Sequence, residues 1–119
     1  MAKYLFLALT NPIPGREDDY NEWYDTHHVR DVVNVPGFVS GQRFRLGALQ
    51  FPLNATAATH QYLALYEIET DDLAATYAEV IARIGTAAMI SSDAMNSATL
   101  ETLTFMPIGA KVVKNVPAQ

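Results

Sequence analysis

Blocks of apolar and polar residues divide this chain into six predicted elements of secondary structure. We expect strands over residues 4–10, 38–46, 61–69 and 100–108, a first helix over residues 17–34 and a second helix that ends near residue 84. The Pro36-Gly37 pair ends the first helix, because neither residue continues a helix well. Thr70 or Asp71 can cap the second helix, and Gly85 can end it. The predicted order of elements is therefore βαββαβ.

This order predicts a specific fold. In a chain of 119 residues, the order βαββαβ is typical of the ferredoxin-like sandwich. This is an α+β fold in which a four-stranded antiparallel sheet carries both helices on one face. The length suits a single domain over residues 1–119, with a core large enough to need no disulfide.

The first predicted strand is apolar on both of its faces. It carries Leu5, Leu7 and Leu9 on one side and Tyr4, Phe6 and Ala8 on the other, and in the third strand Tyr62 and Tyr66 oppose Leu63 and Leu65. A strand that is apolar on both sides indicates cover on both sides. Because the chain offers no third layer, we expect a homodimer in which the two sheets face each other. The alternative is a central strand whose outer face carries a tolerable apolar patch.

One face of the first predicted helix combines aromatic residues with a histidine and an acid. At about 100° per residue, one sector roughly 100° wide contains Tyr20, Trp23, Tyr24, His27 and Asp31. Tyr, Trp and His carry polar atoms that need partners when buried, so a face built for stability alone would contain more Leu, Ile, Val or Ala. We interpret this face as the wall of a ligand pocket. The alternatives are an aromatic core, or a buried polar lock between His27 and Asp31 without a ligand.

The composition narrows the classes of partner. The net charge is −5, and the eight Lys and Arg residues are dispersed, which argues against nucleic acid. The chain contains no cysteine, so a thiol nucleophile and a thiolate metal site are excluded. No stretch approaches ~18 apolar residues, and no signal peptide precedes the first strand, so we expect no membrane partner and a cytoplasmic location.

A pattern of specific residues extends through about the first 45 positions. It comprises Asn11-Pro12, Gly15-Arg16-Glu17, the run from Tyr20 to His28, Asp31 and Val35-Pro36-Gly37-Phe38. This pattern resembles the amino-terminal half of EthD-like proteins of the dimeric α+β barrel superfamily. The rest of the chain resembles that family only in the order of its elements. The resemblance implies a ferredoxin-like fold, a homodimer formed through the sheet faces and a role in bacterial catabolism or secondary metabolism.

The resemblance also implies where a ligand binds. In relatives with a ligand, the pocket lies within each subunit between the sheet and the helices, and positions of the first helix line it. Here those positions are Tyr20, Trp23, Tyr24 and His27, with Asp31 beyond them. His28 lies about 100° from His27 on a regular helix, so we expect His27 rather than His28 to face the pocket. The superfamily hosts monooxygenases, cyclases, isomerases, haem-degrading enzymes and accessory proteins, so the fold does not fix the chemistry.

Several reaction types can be eliminated. The sequence has no Gly-x-Ser-x-Gly elbow for a covalent hydrolase and no Gly-x-Gly-x-x-Gly loop for a nucleotide cofactor. His27, Asp31 and His60 offer a conceivable metal set, but they lack zinc-binding spacing, so we expect no metal. Haem held by His27 or His60 is the variant that the family suggests, but the sequence lacks a basic cluster for the propionates. We therefore expect no cofactor.

The reaction type that remains is proton transfer on a small, largely apolar molecule. His27 is the predicted general base, Asp31 holds its other ring nitrogen, and Tyr24 donates to a developing oxyanion. The predicted substrate-binding residues are Tyr20, Trp23, Tyr62, Tyr66 and His60. The first hypothesis is a cofactor-independent lyase, isomerase, cyclase or oxygenase acting on an aromatic or carbonyl compound. The second is a non-catalytic EthD-like accessory or metabolite-binding dimer that supports a degradation pathway.

Other polar residues and two loop segments allow more than one structural interpretation. Arg43 and Arg45 alternate on the second strand, where we expect a solvated edge rather than a carboxylate clamp. His60 begins the third strand, and a surface strand end is a more common place for such a histidine than a pocket mouth. The uncharged loop 47–59 and the tail 109–119 are candidates to cover the pocket or to embrace a partner subunit.

Overall fold

The computed structural model describes residues 1–115 of the chain. Within these residues the order of elements is the predicted one. The strands are β1 (Ala2–Thr10), β2 (Phe38–Arg45), β3 (Tyr62–Thr70) and β4 (Glu101–Phe105). The helical segments are α1 (Glu17–Trp23), a π-turn (Tyr24–His28), α2 (Val29–Val33), α3 (Leu73–Arg83) and a short 3₁₀ turn (Ser97–Thr99).

The four strands form one antiparallel sheet with the order β2-β3-β1-β4. The helical segments pack on one face of this sheet, where their apolar side chains join those of β1 and β3 in a single core. This is the predicted ferredoxin-like α+β fold, and the prediction is confirmed. Of the residues described, no helix is both long and apolar enough to cross a membrane.

Both faces of the sheet are apolar, as the sequence predicts. The inner face, under the helices, carries Phe6, Ala8, Tyr62, Ala64, Tyr66 and Ile68. Cross-strand pairing places a second apolar set on the outer face, formed by Leu5, Leu7, Leu9, Phe44, Leu63, Leu65, Leu103 and Phe105. Several of these outer side chains are exposed, and Phe105 is 52% exposed. Gln42, Glu67 and Glu101 share this face, so the chain presents a largely apolar sheet face with some polar residues to its surroundings.

Helix α3 begins slightly later than predicted. Its cap is Asp72, rather than Thr70 or Asp71, and the Asp72 carboxylate accepts a hydrogen bond from the Ala75 N–H at 3.0 Å. The Thr70 hydroxyl instead accepts from the Asp72 N–H at 3.2 Å, which shapes the turn before the helix. Gly85 adopts a positive φ of 80° just beyond the helix end, as expected for a glycine that terminates a helix.

The first helix departs from regular α geometry in its middle. The Val29 N–H donates to the Tyr24 carbonyl, five residues earlier, and this bond defines the π-turn between α1 and α2. A π-turn takes one residue more than an α-turn does, so side chains beyond it are rotated relative to a regular helix. This rotation decides which histidine reaches the interior.

Two segments lie away from the core. The loop 47–59 is exposed along its whole length, with Leu49 93% and Phe51 73% exposed. Beyond β4 the chain is also exposed through residue 115, and Val112 is 95% exposed. Neither segment lines the cavity described below, so the described part of each leaves that cavity uncovered. The end of the predicted arm, residues 116–119, lies outside the described residues.

Candidate functional site

A cavity of about 420 Å³ lies between the sheet and the helices. This volume is within the usual range for a small-molecule site. The sheet contributes Phe6, Ala8, Tyr66 and Thr102, and the helical segments contribute Trp23, Tyr24, His28, Val32, Val80 and Ile84. The connection from α3 to β4 closes the remaining side with Met89, Ile90, Ser91, Ser92, Met95, Ser97 and Leu100. The lining is therefore mostly apolar, with a few hydroxyl groups and one imidazole.

The connection wall, residues 89–100, is held in place mainly through its backbone. The Ile13 N–H donates to the Ala94 carbonyl at 2.7 Å, and the Asn96 N–H donates to the Asn11 carbonyl at 2.9 Å. The Trp23 indole N–H donates to the Ile90 carbonyl at 2.7 Å. These three bonds tie an irregular segment to the rest of the fold and keep the cavity open beside the helix.

His28 is the one imidazole in the cavity. Its ring stacks on Trp23 at a centroid distance of 4.5 Å and meets the edge of Tyr24 at 5.0 Å. Burial lowers the pKa of His28 from 6.5 to about 4, and Asp31 opposes this shift only in part. His28 is therefore neutral at pH 7. Its Nδ1 atom is buried and has no hydrogen-bond partner within the described residues.

Tyr66 supplies a second buried polar atom without a partner. Its hydroxyl group makes no hydrogen bond of normal geometry among the described residues, and the Tyr24 hydroxyl is near enough to act on its pKa as a hydrogen-bond partner. Burial raises the pKa of Tyr66, and the neighbouring Tyr24 phenol raises it further, so the hydroxyl keeps its proton and can donate it. The ring packs against Gly41, where an added Cβ would lie 2.8 Å from the ring. Gly41 thereby allows the ring to cross the neighbouring strand.

These two polar atoms have a clear physical meaning. A buried nitrogen or hydroxyl without a partner costs roughly 1–3 kcal/mol, and native proteins contain few such atoms. Here both belong to side chains of one cavity, His28 and Tyr66. Both atoms are almost fully enclosed, so a bound molecule would satisfy them only after the cavity wall adjusts to admit its oxygen. The arrangement is that of a largely apolar site with two polar anchors.

Tyr24 joins the cavity to a second cluster, built around Arg43. Burial raises the pKa of Tyr24 to about 12, and the positive charge of Arg43 offsets part of this rise. The guanidinium carbon of Arg43 lies 4.4 Å from the ring centre of Tyr24, 5.2 Å from that of Tyr62 and 5.3 Å from that of Tyr20. These are cation–π distances, so the three rings and the guanidinium stabilise one another.

Arg43 is not the solvated edge residue that the alternation predicts. Its side chain is only 14% exposed, and it donates to the Asp25 carboxylate at 2.7 Å and to the Asn21 side-chain oxygen at 2.9 Å. Its position in β2 opposite Ala64 directs it toward the helices. The sequence could place Arg43 on one face of a strand but could not identify the tyrosines that attract it to the inside.

His27 does not face the cavity, contrary to the helical-wheel prediction. It is exposed and lies beside Asp19, Glu22 and Thr26 in a shallow surface cleft. The π-turn is the reason, because it brings the residue five positions after Trp23, rather than the one four positions after it, back to the same side. No ion pair or hydrogen bond joins His27 to Asp31 in residues 1–115, and Asp31 instead acts electrostatically on His28.

The remaining predicted site residues divide into two groups. Trp23, Tyr24 and Tyr66 line the cavity as the sequence predicts. Tyr20 and Tyr62 are buried beside it, in the Arg43 cluster, and their hydroxyl groups are occupied within the fold. The Tyr20 hydroxyl bonds to that of Thr10, and the Tyr62 hydroxyl donates to the Glu17 carboxylate.

His60 has a structural position away from the cavity. Its Nε2 donates to the Thr99 carbonyl at 2.7 Å, so its Nδ1 is left to accept from the Thr59 hydroxyl at 2.9 Å. Both ring nitrogens are thus occupied, and the imidazole joins the start of β3 to the turn before β4. Among the described residues, no group of three or more His, Cys, Asp or Glu side chains is arranged to hold a metal ion.

Comparisons with known proteins show similarity in structure but not in sequence. No protein-family model matches the sequence, and no curated protein matches it. A candidate monooxygenase from Shewanella loihica PV-4 is 12% identical, with a TM-score of 0.59, and the match covers 92% of this chain and 97% of that one. The haem-degrader MhuD from Mycobacterium tuberculosis is 15% identical, also with a TM-score of 0.59, over 92% and 99% of the two chains.

A protein of the ethyl tert-butyl ether degradation (EthD) family from Bacillus halodurans C-125 is also matched. It is 13% identical, with a TM-score of 0.49, over 91% of this chain and 100% of that one. Identities this low show a shared fold and leave the chemistry open. The structural similarity to the Shewanella and Mycobacterium proteins therefore agrees with the ferredoxin-like α+β fold described above.

Proposed function

We propose that the cavity binds a small, largely apolar molecule that carries a hydroxyl or carbonyl oxygen, and that the protein transfers a proton on it without a cofactor. The observation that carries this proposal is the pair of unpartnered polar atoms, His28 Nδ1 and the Tyr66 hydroxyl, on two residues that line a largely apolar cavity. Their chemistry is complementary, because a neutral imidazole can accept a proton and a phenol can donate a hydrogen bond.

The roles predicted for His27 pass to His28 in this proposal. His28 is the general base, and Asp31 favours the imidazolium that forms when His28 takes a proton, as its effect on the His28 pKa indicates. Tyr66 donates to the oxygen that becomes an enolate or phenolate, and Tyr24 lies beside it in the same cavity. This constellation suits enolisation, isomerisation, cyclisation, or deprotonation of a phenol before its reaction with oxygen.

A second candidate function uses the same cavity without turnover. The apolar lining can supply affinity through buried area, and Trp23 and Phe6 offer aromatic faces to a ligand. The protein would then bind or sequester a metabolite, or act as an accessory component of a degradation pathway. An enzyme would convert a compound that it binds, whereas a binding protein would release the compound unchanged. Measuring conversion of bound compounds therefore separates the two functions.

Haem deserves a direct test of fit, because MhuD binds two haems in its active site. The His28 Nδ1 atom is a conceivable axial ligand, since it is buried and unpartnered. However, the described residues that line the cavity include no Lys or Arg to pair with the propionates. A propionate held within the cavity would therefore be unpaired, which is costly. The described residues do not fit haem, and the proposed chemistry includes no step through it.

We also propose that a second copy of the chain covers the outer face of the sheet. That face carries the leucines and phenylalanines described above, among them Leu103, which is 48% exposed. Apolar patches of this kind in a small protein mark contact with another molecule. A two-fold axis would place the same face of each chain against the other, as in an isologous dimer. The proposed assembly is a homodimer through the sheets.

Trp23 provides the assay for the proposed function. It is the one tryptophan of the chain, and it lines the cavity in contact with His28. Its fluorescence should therefore respond to a bound ligand. Phenols, quinols, lactones and β-keto compounds would be screened by this signal and by thermal shift, and the compounds that bind would then be tested for conversion without added cofactor.

The decisive comparison is between the two adjacent histidines. We expect His28→Ala to lower ligand affinity or turnover by on the order of 10² or more, the usual scale of acid–base help. His27→Ala should change either quantity less than about twofold, because His27 is exposed. Equal effects in both variants, or a larger one in His27→Ala, would contradict the proposal. Binding that depends on His28 without any conversion would instead favour the second function.

A further inference from the structure

We propose that this cavity selects its ligand by charge: it takes molecules in their uncharged form and rejects carboxylates and other organic anions. An acid of suitable shape would enter only after it has been protonated. This inference rests on the proposed function, because it concerns the ligand of the same cavity. It extends that function by naming the charge state of the ligand.

The lining of the cavity is the first observation. Among the described residues, the lining includes no Lys, Arg, Asp or Glu, and the three that can titrate are His28, Tyr24 and Tyr66. Burial keeps all three neutral at pH 7, because it lowers the pKa of the imidazole and raises those of the phenols. A charged ligand would therefore leave water without meeting an opposite charge.

The position of Arg43 is the second observation. Arg43 stacks on Tyr24, a cavity residue, so it is a cation close to the site. Its guanidinium is nevertheless occupied, since it donates to Asp25 and Asn21 at hydrogen-bond distances. It does not line the cavity. The one cation in this cluster is thus neutralised by Asp25 and separated from a ligand by an aromatic ring.

The surrounding charge also opposes an anion. Asp31 acts on His28 as a negative charge, and the chain as a whole carries −5. Removing a carboxylate from water without a partner costs far more than removing a neutral amide of the same shape. The hydroxyl groups of Ser91, Ser92 and Ser97 on the connection wall can hydrogen-bond a ligand but add no charge. We therefore expect discrimination of at least about thirtyfold against the anion.

The test uses three probes that share one apolar body. para-tert-Butylphenol is neutral and carries a hydroxyl group. para-tert-Butylbenzamide is also neutral, and para-tert-butylbenzoate is the charged isostere of this benzamide. Binding to the full chain at pH 7.5 would be measured by calorimetry and by the fluorescence of Trp23. We expect the phenol and the benzamide to bind at least about thirtyfold more tightly than the benzoate. Haemin, a dicarboxylate, should show no saturable binding.

Two further measurements separate charge from shape. Between pH 7.5 and 5.5 the apparent affinity for the benzoate should rise about tenfold for each unit of pH, because only its protonated form enters. The affinity for the benzamide should remain constant over the same range. Ile84→Lys places a cation at the cavity, and should strengthen benzoate binding at least about tenfold.

Ile81→Lys is the matched control, because Ile81 lies in α3 three residues before Ile84, is 70% exposed and does not line the cavity. It should leave the affinity for every probe unchanged. Equal binding of benzoate and benzamide to the unmodified protein would overturn the charge selection and leave the proposed function standing. Binding of none of the three probes would overturn both.

Discussion

At the scale of single residues, the site is defined by groups that stay neutral. His28 is enclosed by Trp23 and Tyr24, and Tyr66 keeps its proton because burial disfavours the phenolate. A neutral imidazole and a protonated phenol can exchange hydrogen bonds with a ligand oxygen without a net charge on either partner. The depressed pKa of His28 also links the site to the stability of the whole fold.

The free energy of unfolding should rise with pH between about 4 and 6.5. In this range the unfolded chain binds a proton at His28, whose ordinary pKa is 6.5, whereas the folded chain does not, because its pKa is about 4. Proton uptake by the unfolded state destabilises the fold as the pH falls, by up to about 3 kcal/mol from this one group. Urea unfolding at several pH values would measure the slope.

The contribution of His28 can be isolated by substitution. His28→Phe keeps an aromatic ring on Trp23 and removes the titration, so the slope between pH 4 and 6.5 should flatten. His27→Phe is the control, because His27 is exposed and should leave the slope as it is. A slope that persists in His28→Phe would show that the exposed carboxylates, rather than this imidazole, govern acid unfolding.

At the scale of elements, hydrophobic periodicity predicted the number, order and approximate bounds of the regular elements. The first strand and the first helix, for example, were expected over residues 4–10 and 17–34, and their structured ranges are 2–10 and 17–33. The sequence also predicted the two apolar faces of β1, because both the even and the odd positions from Tyr4 to Leu9 are apolar. These features depend on local pattern, which the sequence carries directly.

The contents of the site were predicted less well, for physical reasons. No residue between Tyr24 and His28 forbids a regular α-turn. The local sequence therefore does not indicate the π-turn, which places His28 rather than His27 at the cavity. The connection wall has no hydrophobic periodicity, so the sequence gives no signal that Met89 and Met95 line the cavity. The inward position of Arg43 depends on tyrosines distant in sequence. Each of these features is set by tertiary contacts.

Deleting Thr26 should test the effect of the π-turn. The deletion leaves Trp23 and His28 four residues apart, which is the spacing of one regular α-turn, so His28 should stay in the cavity. We expect the free energy of unfolding to change by less than about 1 kcal/mol and ligand affinity by less than about threefold. Thr26 is exposed, and no buried contact is lost with it.

Deleting Glu22 provides the contrast. Glu22 is also exposed, but it lies in the regular segment α1, so its removal rotates Tyr20 by about 100° relative to Trp23. Tyr20 is fully buried, and its displacement should cost about 3 kcal/mol or more. Denaturation of both variants would compare them. Equal destabilisation by the two deletions would argue against a π-turn in the folded protein.

At the scale of the whole molecule, the unpartnered sheet face is the main feature to explain. A homodimer that covers it should sediment at about twice the chain mass of 13.1 kDa at micromolar concentration. Leu103→Asp should weaken association by on the order of 100-fold, because a two-fold interface buries two unpaired carboxylates. Ile81→Asp, on helix α3, should leave it unchanged. A species of 13.1 kDa alone in the unmodified protein would contradict the proposed dimer.

The way in which the connection wall is held affects how the binding specificity of this protein can change in evolution. Its path is held by main-chain atoms of Ile90, Ala94 and Asn96, together with the buried side chains of Met89 and Ala94. The exposed side chains of Ser91 and Ser97 also line the cavity, so they can be exchanged with little effect on the core while the polarity of the cavity changes directly. Selection acting on this short stretch can retune what the protein binds without rebuilding its core. Adaptation to a new compound is thus expected to start there, and libraries confined to residues 89–100 offer the shortest route to altered specificity.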